Sequence, residues 1–164
     1  MEEKGFHPLP QPDEIPTREK EDAMGAYFMM FASLAAGLPL PVINLIAAII
    51  YYYLNRAKSR FVRFHAMQSL LSQLPLSALN AGAVFWAVRI FIYDIGHFSD
   101  VFYGYLTALI VANIIYLIFS LIAAVKARKG GFYYFIFFGR YAYEKVYRID
   151  ENEKTELTNT PPGL

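Results

Sequence analysis

Cysteine is absent from this 164-residue chain, which removes disulfides, thiolate nucleophiles and thiolate metal ligands. Histidine is scarce. His7, His65 and His97 fall in three separate regions, so they are not expected to converge on one metal. No acid interrupts the long apolar runs, which leaves no buried carboxylate for proton or ion coupling. HExxH, GxSxG and a phosphate-cradling glycine loop are all missing. No basic stretch followed by an apolar one opens the chain, so insertion is expected to use internal helices as signals. The expectation is therefore a protein without cofactor, metal or catalytic group, and not an enzyme.

What is abundant is grease. Hydrophobic residues make up 56% of the chain and aromatics 17%, with a mean hydropathy of +0.30. They gather in runs at 25–54, 66–93, 101–125 and 132–138. Runs of about 18 or more residues with few charges suit bilayer-spanning helices. The expected class is an all-α membrane protein, a small bundle of three to four transmembrane helices with a C-terminal interfacial amphipathic segment. Residues 1–22, rich in proline and acid, read as a disordered tail. Residues 23–149 form the membrane domain, and 150–164 read as a second polar tail.

The first apolar run is broken between Gly37 and Pro41 by two prolines two residues apart. A helical hairpin and a single long kinked span both fit, and the hairpin is favoured. The two place the N-terminus on opposite sides of the membrane. In the second run His65, Gln68, Ser69, Ser72, Gln73, Ser77 and Asn80 recur at spacings of mostly three and four, one polar stripe on a helix. Lipid-facing polar groups are costly, so the stripe must meet other helices or a wet cavity. Asn113 in the next run can face it. Both uses, helix-to-helix bonding and a hydrophilic groove for polypeptide, stay open.

Cations cluster at two places. Arg56, Lys58, Arg60 and Arg63 follow the first run, and Lys126, Arg128 and Lys129 end the third. Short loops rich in Lys and Arg stay in the cytoplasm. The C-terminus is then cytoplasmic too, and the acidic loop 94–100 lies on the far side. These cations suit anionic lipid headgroups or a protein partner, and nothing points to nucleic acid. A multi-pass protein of a bacterial inner membrane is expected.

Phe61-Val62-Arg63-Phe64-His65-Ala66-Met67-Gln68-Ser69 resembles a segment of the twenty-kilodalton Tic subunit of the chloroplast inner-envelope import machinery and of its small bacterial relatives. The stretch from Ile122 to Tyr134, with Lys126, Ala127, Gly130 and Gly131, is similar to the closing signature of that bacterial group. Ser69 replaces the family's usual alanine, and Phe135-Ile136 stands where proline is common. The resemblance implies three or four helices, and an accessory or channel-like role in protein translocation or membrane insertion. The alternative is a membrane scaffold or assembly factor that binds a partner complex through the basic loop 55–65 and the aromatic C-terminal segment.

Overall fold

The computed structural model describes residues 5–37, 41–93 and 98–149. The chain forms α1 (Thr17–Phe28), a 3-10 turn (Met29–Phe31), α2 (Ala32–Ala35), α3 (Pro41–Asn55), α4 (Arg60–Tyr93), α5 (Asp100–Arg128) and α6 (Phe138–Tyr147). Among the described residues strand-type pairing is confined to an isolated antiparallel bridge between Phe6 and Arg148.

Two helices, α4 with 34 residues and α5 with 29, are long and apolar enough to cross a membrane. At 1.5 Å per residue they reach about 51 and 44 Å, more than an apolar core of about 30 Å. The third apolar helix, α3, has 15 residues and is shorter. Burial in α4 and α5 is inverted relative to a protein packed for water. Ile110, Ile114 and Ile118 of α5 each expose about half their surface, whereas Ser120 is buried. On α4, Phe85 and Phe91 are exposed while His65, Gln68 and Ser69 are buried. Aliphatic side chains outward and polar ones inward is the arrangement that a hydrocarbon solvent selects. The all-helical class stands, with two helices of spanning length among the described residues.

Local chemistry sets the helix ends. Ser99 caps α5, its Oγ accepting the Phe102 N–H at 3.3 Å. At the other end Gly130 takes φ +78° and Gly131 donates its N–H back to the Lys126 carbonyl at 2.9 Å, a glycine-terminated stop. The helix α4 continues through Pro75. The first apolar run turns back on itself. Tyr51 OH donates to the Asp22 carbonyl at 2.7 Å, and the Ser33 N–H donates to Asn44 Oδ1 at 2.7 Å. Pairing 22 with 51 and 33 with 44 runs α1 and α2 antiparallel to α3, the hairpin arrangement. Its turning residues Leu38, Pro39 and Leu40 lie outside the described residues.

One end of the bundle carries most of the packing. Ala23 and Tyr27 of α1 pack on Phe61 of α4 and on Ala123, Ala124 and Ala127 of α5, where small side chains allow close approach. The helix α6 lays Ala142, Val146 and Tyr147 on Phe64 of α4. Residues 5–22, part of the expected tail, lie against the rest of the chain. Ile15 is buried, Phe6 stacks on Tyr143 at 5.2 Å, and the His7 N–H donates to the Tyr147 carbonyl at 2.8 Å. A proline-rich segment forms few internal hydrogen bonds, so it orders only by docking. Here the aromatic C-terminal segment supplies the surface. Residues 1–4 and 150–164, and the far-side loop at 94–97, lie outside the described residues.

A Cβ on Gly139 would come within 2.6 Å of Tyr134 Cα and 2.7 Å of Gln68 Oε1. Gly139→Ala is therefore expected to cost about 1–3 kcal/mol in detergent unfolding. Gly104→Ala, with open space around it, should leave the unfolding midpoint unchanged or slightly raised. Equal midpoints for both variants would contradict the packing of α6 on α4.

Candidate functional site: a polar seam inside the bundle

The expected stripe on α4 is where the structure concentrates its buried polar groups. His65, Gln68, Ser69, Ser72 and Gln73 are buried, and Ser77 and Asn80 are half-buried. The stripe runs from the basic end of α4 to its middle and meets different partners at each level.

At the basic end Gln68 is the tie point. Its Nε2 donates to Tyr27 OH at 2.8 Å and to the Tyr133 carbonyl at 2.9 Å. Its Oε1 accepts the Phe135 N–H at 3.1 Å. One amide thus joins α4 to α1 and to the extended segment before α6. Tyr27 OH also lies 2.8 Å from His65 Nδ1. Because Tyr27 accepts from Gln68, its own proton is free to go to His65. That makes Nδ1 the acceptor and leaves the ring proton on Nε2. Among the described residues Nε2 has no hydrogen-bond partner. It sits within an aromatic box, with Phe61 at 4.6 Å, Phe64 at 5.0 Å and Phe132 at 5.7 Å between ring centroids.

One turn further along, Ser69 Oγ donates to the Ala26 carbonyl at 2.8 Å, satisfying a group near the end of α1. Gln73 Nε2 donates to Ser69 Oγ at 3.3 Å, and Ser72 lies 3.4 Å from Tyr116 OH of α5. Gln73 Oε1 is buried and, among the described residues, without a partner. Beyond it lies a cavity of about 240 Å³, room for several waters. Ser33, Asn44, Gln73, Ser77, Asn80, Asn113 and Tyr116 supply its polar lining. The seam closes where Asn80 and Asn113 exchange amide hydrogen bonds at 3.3 Å each.

The cations do not form one site. Lys58 pairs with Asp22 at 2.7 Å and Arg128 with Glu21 at 3.1 Å, so acids of α1 engage two of them. Arg56 lies over the Tyr53 ring at 4.6 Å. Lys126 and Lys129 are exposed beside Leu121, Ile122 and Val125. Arg60 is exposed at the start of α4, and Arg63 turns toward Lys145 and Arg148 of the C-terminal segment.

Sequence reasoning missed Tyr27, Ser33, Asn44 and Tyr116 as partners of the stripe. Tyr116 could have been found, because it stands three residues after Asn113 and four before Ser120 on one face of α5. Tyr27 gave no such signal. The cavity offers neutral amides, hydroxyls and one phenol, which can bond water or a neutral polar group. Among the described residues no three His, Asp or Glu side chains gather where they could hold a metal ion.

A family model described as the magnetosome magnetite crystal formation protein family, MamF/MmsF, matches residues 21–141. That is 121 of the 164 residues, from within α1 to the first turn of α6. No curated protein and no solved structure matches the chain. The family match overturns the resemblance to the Tic subunit and, with it, the translocation and insertion role and the Tic-like and protein-transport descriptions. The block around His65 and Gln68 had suggested them. In the structure those side chains bond the chain to itself, a packing role that a short motif can keep while function differs.

Gln68→Leu removes three hydrogen bonds and strands Tyr133 O and Phe135 N. It is expected to cost about 2–4 kcal/mol in detergent unfolding. Asn80→Leu breaks a pair bonded across two helices and should cost only about 0.6 kcal/mol. The reverse order would show that the basic end does not hold the bundle.

Proposed function

Because the chain belongs to the MamF/MmsF family of magnetosome magnetite crystal formation proteins, we propose that it serves in the magnetosome membrane as a non-catalytic multi-pass protein supporting magnetite crystal formation. The observation that carries this reading is the extent of the match. It takes in α2 to α5 and most of α1, and therefore the whole polar seam. The chemistry of the seam supports a structural part in that process. Its amides and hydroxyls are mostly spent on joining α1, α4, α5 and the segment before α6.

In this reading α4 and α5 cross the bilayer. The shorter α3, about 22 Å long at 1.5 Å per residue, enters from the basic end with the turn that precedes it. The basic end faces the cytoplasm, since the clusters at 56–63 and 126–129 both lie there. Both chain ends are then cytoplasmic.

Two measurements test this. In a magnetosome-forming bacterium that lacks this chain, electron microscopy should show crystals altered in size, shape or number, restored by the wild-type chain. Unaltered crystals would overturn the role. Single cysteines at Pro8 and Arg140, both exposed, should react with an impermeant reagent applied from the cytoplasmic side. Reaction of either from the opposite side alone would overturn the orientation.

A further inference from the structure

The C-terminal segment is placed against α4 in a way that grades it by depth. Gly139 lies against Gln68, and Val146 and Tyr147 pack in one cluster with Phe64, one turn nearer the start of α4. Pairing 139 with 68 and 146–147 with 64 runs α6 antiparallel to the start of α4. Since α4 enters the bilayer as it leaves Arg60, α6 begins deep and ends at the surface.

The exposed residues follow that gradient. Ile136 and Phe137, just before α6, are 76% and 84% exposed. Phe137 is held at φ +69°, a conformation that side chains rarely adopt. Two bare apolar residues at the deep end belong in acyl chains. Tyr141 follows one turn later, exposed, as an interfacial aromatic would be. Lys145 and Arg148 come after it, one and two turns further out. Across from them stands Arg63 of α4. Arg63, Lys145 and Arg148 line one cleft of about 340 Å³ with Tyr141 and Glu144.

The charge in this cleft is unbalanced. Glu144 is engaged by Arg140, whose Nε lies 2.9 Å from its Oε1. Among the described residues Arg63, Lys145 and Arg148 have no carboxylate partner. The Nε of Arg63 is buried and, among the described residues, has no hydrogen-bond acceptor. A guanidinium N–H withdrawn from water without an acceptor is costly, and an anionic oxygen would satisfy it.

We infer that this cleft between the start of α4 and the outer half of α6 binds the phosphate of an anionic phospholipid. Arg63 and Arg148 offer planar donor forks, and Lys145 adds a point charge. Tyr141 lies at the glycerol level, and Ile136 and Phe137 lie among the acyl chains of the same lipid or its neighbours. The site depends on the chain lying in a membrane and not on its part in crystal formation, so the two can fail separately.

The test uses full-length protein, delipidated in non-ionic detergent, then titrated with phosphatidylglycerol, phosphatidylcholine or inorganic phosphate. Bound lipid is counted by native mass spectrometry. The wild type should retain phosphatidylglycerol with about tenfold preference over phosphatidylcholine, and inorganic phosphate should not displace it. The double variant Lys145→Gln, Arg148→Gln should lose that preference. The pair Lys126→Gln, Lys129→Gln removes the same charge elsewhere and should keep it. Equal retention by the first double variant, equal loss in the second, or displacement by inorganic phosphate alone would each overturn the lipid site. Both variants alter exposed side chains, and an unchanged unfolding midpoint in detergent confirms that the bundle is intact.

Discussion

A hydrocarbon solvent offers no hydrogen bonds, and the rest of this structure follows from that constraint. Each polar side chain on α4 must find a partner within the protein or a small pool of trapped water. Gln68 meets the demand most completely, with its carbonyl and amide both satisfied by groups from other parts of the chain. Ser69, Ser72 and Asn80 meet it by bonds to neighbouring helices or to their own. Gln73 and His65 each meet it by half, and a cavity lies beside the Gln73 side chain.

The same constraint explains why the two ends of the bundle differ. At the basic end α1, α6 and the segments flanking them wrap the emerging ends of α4 and α5. Charge pairs such as Lys58 with Asp22 and Arg128 with Glu21 lie on the outside of that wrap, where water screens them and each contributes about 0–1 kcal/mol. The stability sits beneath them, in Tyr27, Phe61 and Phe64 and in the alanines of α5. Burying each aromatic ring is worth about 1.5–3 kcal/mol. Towards the other end, contact between α4 and α5 rests on Asn80 with Asn113, on Tyr105 OH donating to the Leu79 carbonyl, and on Trp86 against Phe102.

Much of this was legible in the residue order, for a reason that also marks its limit. Apolar length and helical spacing are local signals, so the spanning helices and the polar stripe were readable from α4 alone. The docking of residues 5–16 was not. Its anchors Phe6 and Ile15 are single apolar residues in a polar stretch; Phe6 stacks on Tyr143, more than 100 residues away, and Ile15 joins a cluster drawn from α1, α4 and α5. Tyr27 was hidden in the same way, since only the fold brings it to His65 and Gln68. The family reading failed differently. The likeness of the segment from Phe61 to Ser69 to another family rested on a short stretch whose side chains are mostly buried in this chain, and it carried no information about what the bundle does.

The partners of Gln68 have a consequence for how the chain is made. Tyr133 and Phe135 follow it by 65 and 67 residues. When α4 leaves the ribosome, neither has been synthesised, and α5 must also appear before they can reach back. Until then the amide bonds only Tyr27, with its oxygen unmet. Closure of the amide therefore waits on the segment that follows α5, and the order of synthesis sets the order in which these bonds can form.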